Sequence, residues 1–241
     1  MFESCRDRHS PLAASDVLKA SSQHLTFDTG KPGPVSALLS RPDRPRACYV
    51  FAHGAGAGMT HSFMEAFANG LRERGIASLR YQFPYMEKGG KQPDPPAVAQ
   101  AAVRAAVAKA AEIFPDVTLI AGGKSFGGRM TSQAQAAAPL AGVRGLAFIG
   151  FPLHPAGKPS TDRADHLARI DIPMLFLQGT RDSLAEMALI EGVVKRLGRL
   201  ATLHLVDGAD HSFHVLVRSG RNDREVLDEI LDAFAAWTDG L

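Results

Sequence analysis

Cysteine is scarce in this chain: there are two among 241 residues, Cys5 in a polar N-terminal stretch and Cys48 in an apolar run that reads as a core strand. Two residues so far apart give neither a disulfide framework nor a thiolate metal site, and the nine histidines show no ligand spacing that would add one, so no metal is expected. Long apolar runs are missing as well, since no segment approaches the ~18 apolar residues of a membrane span. The N-terminal stretch MFESCRDRHSPLAASDVLKASS carries charges where a signal peptide needs its apolar region, which makes a reducing cytoplasm the expected location. Nor is one sign of charge in excess: 27 basic and 25 acidic side chains leave a formal +2, spread along the chain. Such a balance offers no strong field to a polyanion, so neither nucleic acid nor a membrane is an expected partner. The chain also has no internal repeat, low-complexity tract or interdomain linker.

What is present is an ordinary globular composition, 45% hydrophobic and 22% charged, enough for a sizeable core. After a polar lead-in over residues 1–23, expected to be partly disordered, residues 24–241 read as one domain of alternating short apolar runs and longer helical patterns. The expected strands are 24–27, 35–40, 47–52, 76–80, 118–121, 146–150, 174–178 and 202–206. The expected helices are 62–74, 96–113, 125–138, 184–197 and 223–237. Unbroken apolar strands separated by helices imply an α/β fold: a mostly parallel sheet of about eight strands, covered by helices on both faces. The Gly/Pro turn at 30–34 leaves the first two strands no room to cross over, so they should form an antiparallel hairpin at one edge.

Gly123-Lys124-Ser125-Phe126-Gly127 stands between a strand and a helix. This is the Gly-x-Ser-x-Gly pattern of a nucleophile elbow, in which a strained serine is raised on a sharp turn and small residues two positions away relieve the crowding. The following helix points free N–H groups at the same place, so the Phe126 N–H becomes a candidate oxyanion donor. Gly-Lys-Ser also ends a phosphate-binding P-loop, but that motif needs a glycine where this chain has Thr118. The glycines Gly54, Gly56 and Gly58 fail the dinucleotide fingerprint because its third glycine would fall at Met59, and no cofactor is expected.

A second strand ends in His53-Gly54-Ala55-Gly56-Ala57-Gly58, small residues that let a backbone N–H approach a reacting carbonyl. Ala55 is the candidate donor, with Gly56 next, and His53 reads as a residue that shapes the loop. In chain order the acid and base should follow the serine on later strand ends. Asp182 follows the strand at 174–178 and His211 the last one. His214 is the rival base, while Glu186 and Asp207 are weaker rivals for the acid and Asp210 should face away from the neighbouring histidine. Two prolyl stretches, 81–95 and 151–161, follow other strands and are candidate pocket walls, with Tyr85, Phe151 and His154 as candidate substrate-binding residues. The segment from 151 to 169 is too short for a large lid, so short acyl groups, near acetate to hexanoate, should be preferred.

These motifs resemble the α/β-hydrolase superfamily over nearly the whole chain from about His24. Within it the chain resembles the small dienelactone-hydrolase-like branch, and is similar there to the hydrolase-like subunit of the animal non-specific-lethal chromatin complex. The closer resemblance is carried by HGAGAG at 53–58, RYQFPY at 80–85, GGKSFGGR at 122–129, GFPLHPAGKP at 150–159 and QGTRD at 178–182. It implies an eight-stranded, mostly parallel sheet and hydrolysis of a small carboxylic ester or thioester. Dienelactone hydrolases proper use a cysteine where this chain has Ser125, and haloalkane dehalogenases need a carboxylate there, so neither of those chemistries is implied. The resembled chromatin subunit also implies an alternative, a non-catalytic interaction module.

Overall fold

A computed structural model describes residues 22–241. All but the last two residues of the lead-in expected at 1–23 lie outside the described residues, as does Cys5. Eight strands form one sheet: β1 (Gln23–Asp28), β2 (Pro34–Ser40), β3 (Ala47–Ala52), β4 (Ile76–Tyr81), β5 (Thr118–Lys124), β6 (Val143–Ile149), β7 (Met174–Gly179) and β8 (Ala201–Val206). Their order across the sheet is β1-β2-β4-β3-β5-β6-β7-β8. The β1–β2 hairpin forms the edge, with Gly30 and Gly33 at positive φ in its turn, and only β2 runs against its neighbours.

Strand β3 shows why the sheet is sandwiched. All six of its residues are buried, and alternate side chains enter different cores: Cys48, Val50 and Ala52 on one face, Ala47, Tyr49 and Phe51 on the other. The first core lies under α3 (Pro96–Ile113), α4 (Phe126–Ala137) and α5 (Met187–Leu197). Alanines at 99, 102, 106 and 110 form the buried stripe of α3 and let it lie close to the sheet. The second core lies under α1 (Ser62–Glu73) and α6 (Asp223–Thr238). There Phe67 meets Phe51 at 5.4 Å and Phe234 at 5.9 Å between ring centroids. Burial of each such ring stabilises the fold by roughly 1.5–3 kcal/mol. Helix α6 starts at a capping box in which Asn222 and Glu225 satisfy each other's backbone N–H groups.

The elements agree with the sequence expectations except at their margins: β6, expected at 146–150, runs from Val143 to Ile149. Strand β5 continues three residues past the expected end at 121, because Gly122 and Gly123 pair with both β3 and β6 instead of turning. Helix α5 starts three residues late, since Leu184 and Ala185 donate their N–H groups back to Asp182 in a turn. The irregular stretch at 81–95 holds a single helical turn, α2 (Pro84–Glu87), and a 3-10 helix at Asp162–Arg169 follows the second prolyl stretch. No described helix is long and apolar enough to cross a membrane.

Candidate active site

Ser125 sits between β5 and α4 with φ 49° and ψ −112°, a positive φ held by a non-glycine residue. The strain is sustained by close packing on both sides. A Cβ at Gly123 would lie 2.4 Å from the Ala52 carbonyl oxygen, and one at Gly127 would lie 2.6 Å from both the Ala52 and His53 oxygens. Only glycine lets the elbow sink against the end of β3. The Ser125 N–H donates to the Ile149 carbonyl at 3.0 Å, which anchors the turn to β6.

The loop after β8 brings His211 to the serine, its Nε2 lying 2.9 Å from Ser125 Oγ. Its Nδ1 lies 2.7 Å from Oδ2 of Asp182, whose side chain is fully buried at the end of β7. Asp182 is held by two further donors, the Leu184 N–H at 2.8 Å to Oδ1 and Gln178 Nε2 at 2.5 Å to Oδ2. The other titratable residues of these loops are engaged elsewhere. His214 pairs with Asp223 at 2.5 Å on the surface, and Asp210 accepts the N–H groups of Ser212 and His214 in its own turn. Glu186 is exposed at the N-cap position of α5, and Asp207 meets the Thr180 hydroxyl at 3.4 Å.

His53 is fully buried beneath the Gly54–Gly58 loop, and burial pushes its pKa down to about 4. Its Nε2 accepts the Phe83 N–H at 3.1 Å, so Nδ1 carries the proton and donates to the Gly54 carbonyl at 2.8 Å. The neutral ring thus ties the small-residue loop to the chain after β4. Lys124 precedes the nucleophile and donates to the His211 carbonyl, with its ammonium 5.2 Å from the centre of the Phe213 ring. Burial pushes its pKa down to about 8, while the charges of Asp182 and Asp210 pull the other way.

A cavity of about 720 Å³ opens beside Ser125 and His211. Its walls come from Ala55, from Phe63 and Met64 of α1, from Phe213 and from Leu227 of α6, with Lys124 also exposed to it. Tyr85, Phe151 and His154, the expected substrate contacts, are not among its lining residues. Tyr85 packs on the His53 ring at 6.0 Å, Phe151 fits among Phe148 and Phe176, and His154 is buried with Nδ1 2.9 Å from the Pro155 carbonyl. Tyr85 and Phe151 fold onto the core under α3, α4 and α5, whereas the cavity opens towards α1 and α6. Sequence reasoning passed over four contributors: Gln178, Lys124, Phe63 and Phe213. Gln178 had one visible signal, an amide in an otherwise apolar strand. Among the described residues, no group of three or more His, Cys, Asp or Glu side chains is placed to hold a metal ion.

Residues 45–239 match the α/β-hydrolase domain family. The chain belongs to the α/β-hydrolase family. Solved structures support the same fold for this chain. It is similar to a serine hydrolase without a lid from Xanthomonas campestris, with 22% identity, 95% of this chain and 98% of that one covered, and a TM-score of 0.71. It is also similar to a dienelactone hydrolase from Anabaena variabilis, with 17% identity, 90% and 96% covered, and a TM-score of 0.73. An esterase domain from a Rhodothermus marinus protein, at 17% identity, 90% and 97% covered and a TM-score of 0.68, shares the hydrolase fold as well.

Proposed function

We propose that this α/β-hydrolase cleaves a small carboxylic ester or thioester through a covalent acyl-enzyme. The observation that carries the reading is the continuous hydrogen-bonded chain from Ser125 Oγ through the His211 ring to the buried carboxylate of Asp182. Ser125 attacks the carbonyl carbon while His211 Nε2 takes the hydroxyl proton, and Asp182 stabilises the resulting imidazolium. The imidazolium then protonates the leaving alkoxide or thiolate. A water, deprotonated in turn by His211, releases the acid and restores the serine. In each tetrahedral intermediate the negative oxygen is held by the N–H groups of Phe126 and Ala55. Phe126 opens α4, so its N–H has no acceptor within the helix, and Ala55 stands in the loop braced by His53.

The apolar cavity beside the serine receives the acyl or alcohol group, and the absence of a large lid among the described residues favours compact ones. The cytoplasm is the proposed location, on the grounds of sparse cysteine. Turnover of p-nitrophenyl esters from acetate to palmitate tests the reading. It predicts a maximum near acetate to hexanoate, and a fall of several orders of magnitude in kcat for Ser125→Ala with the fold intact. Equal turnover by the two proteins would overturn it.

A further inference from the structure

Gln178 lies near the end of β7, fully buried, between Leu177 and Gly179. A primary amide in that position must find partners for both its ends, because leaving either unpaired in the core is costly. It finds them in two different loops. Its Oε1 accepts the Phe151 N–H at 2.9 Å, where the chain leaves β6, and its Nε2 donates to Asp182 Oδ2 at 2.5 Å. A backbone N–H can only donate, so the Phe151 contact fixes the amide with its oxygen towards Phe151 and its nitrogen towards the carboxylate. The same Oδ2 accepts His211 Nδ1 at 2.7 Å.

We propose that Gln178 is a positioning residue of the triad, which holds Asp182 Oδ2 in line with the His211 ring by clamping it to the loop after β6. The inference rests on the reading of Ser125, His211 and Asp182 as a working triad. The carboxylate has three donors: the Leu184 N–H on one oxygen, and the amide and imidazole on the other. Without the amide, the Leu184 contact alone would not stop the carboxylate from rotating out of the imidazole plane. The choice of an amide also follows from charge. A lysine or arginine in this place would hold the carboxylate's negative charge for itself and weaken its support of the imidazolium, whereas the neutral amide orients the oxygen and leaves the charge available.

Two variants separate this role from simple space filling. In Gln178→Met the volume stays and both hydrogen bonds go. We expect kcat to fall about 10- to 100-fold, the rate equivalent of one hydrogen bond to a charged group, with KM within about twofold. In Gln178→Glu the protonated acid has the shape and bonding of the amide, accepting from Phe151 and donating its O–H to Asp182. Once ionised it sets a second carboxylate against the first. Its kcat/KM relative to wild type should therefore be highest at low pH and fall as pH rises, a limb absent from wild type and from Gln178→Met.

A residue that only fills space would leave Gln178→Met within about twofold of wild-type kcat, or give Gln178→Glu a ratio to wild type that is constant with pH. Either result overturns the proposal. If Gln178→Met fails to fold, the pH dependence of Gln178→Glu decides alone. The low-field proton resonance of His211 Nδ1–H gives the same comparison without turnover. It should be present in wild type and Ser125→Ala and lost or shifted upfield in Gln178→Met, and an unchanged resonance in that variant counts against the role. Ester turnover that survives in wild type and vanishes in Ser125→Ala keeps the hydrolase reading separate from the fate of Gln178.

Discussion

The two halves of the site are held in place by different means. On the nucleophile side, backbone packs against backbone: Gly123 and Gly127 sit where any side chain would strike the end of β3, and the strained Ser125 follows from that contact. On the base side, His211 stands on a loop oriented by polar side chains, with Lys124 on its carbonyl and Asp182, held by Gln178, on its ring. The first half is rigid because its alternatives are sterically closed, and the second because a set of hydrogen bonds is complete. Substitutions in the first should therefore damage the fold, and substitutions in the second should damage the reaction while sparing the fold.

The largest expected effect is on the nucleophile side. Gly127→Ala places a methyl group against the carbonyl oxygens of Ala52 and His53 at the end of β3, and should cost about 3 kcal/mol or more, a fall of roughly 10 °C in melting temperature for a domain of this size. Gly192 in α5 supplies the control, because a Cβ there meets nothing closer than the Arg196 guanidinium at 4.0 Å. Gly192→Ala should leave stability unchanged or raise it by up to about 1 kcal/mol. Similar melting temperatures for the two variants would contradict the steric account.

Acid should also strike the nucleophile side. His53 braces the oxyanion loop, and His166, 2.7 Å from the Ser132 hydroxyl, lies against α4; burial pushes both down to about 4 from the ordinary 6.5. Their pKa is lower in the folded state than in the unfolded one, so as pH falls through 6.5 the unfolded chain takes up protons that the folded protein refuses until about pH 4. Stability is therefore lost across that window, by up to about 3 kcal/mol for the fully buried His53 and by less for His166, which is partly screened by solvent, and the loss levels off below it. Urea midpoints measured between pH 7 and pH 4.5 should fall steadily, and a flat series would show that these rings are not held neutral.

A smaller effect is expected on the base side. Lys124→Met keeps most of the length of the side chain and removes its hydrogen bond to the His211 carbonyl, so kcat/KM should drop about tenfold. The melting temperature should hold or rise, since the cost of burying an ammonium goes with it. A large loss of stability with unchanged kcat/KM would place Lys124 in the steric half of the site instead.

The same division explains what could be read in the sequence. The elbow was legible because glycine at fixed spacing is the direct mark of a steric demand, and Asp182 and His211 were legible from their order on strand ends. The eight strands and five long helices were legible too, apart from their margins, because uninterrupted apolar runs and helical stripes report burial directly. The cavity wall was not. Tyr85 and Phe151 carry the composition of a pocket lining, but the direction in which an aromatic folds over a strand end depends on loop geometry that has no periodic signal. Gln178 escaped because an uncharged amide announces no chemistry until its two partners, 27 residues before it and four after it, are brought to either side.

The central claim, that Ser125 is the activated nucleophile of this site, is tested most directly by intact-mass measurement after exposure to a fluorophosphonate probe. One phosphonyl group should be added, on the peptide that contains Ser125. Ser125→Ala should remain unlabelled, and His211→Ala should be labelled far more slowly. Equal labelling of Ser125→Ala, or no labelling of a folded wild-type protein, would contradict the account.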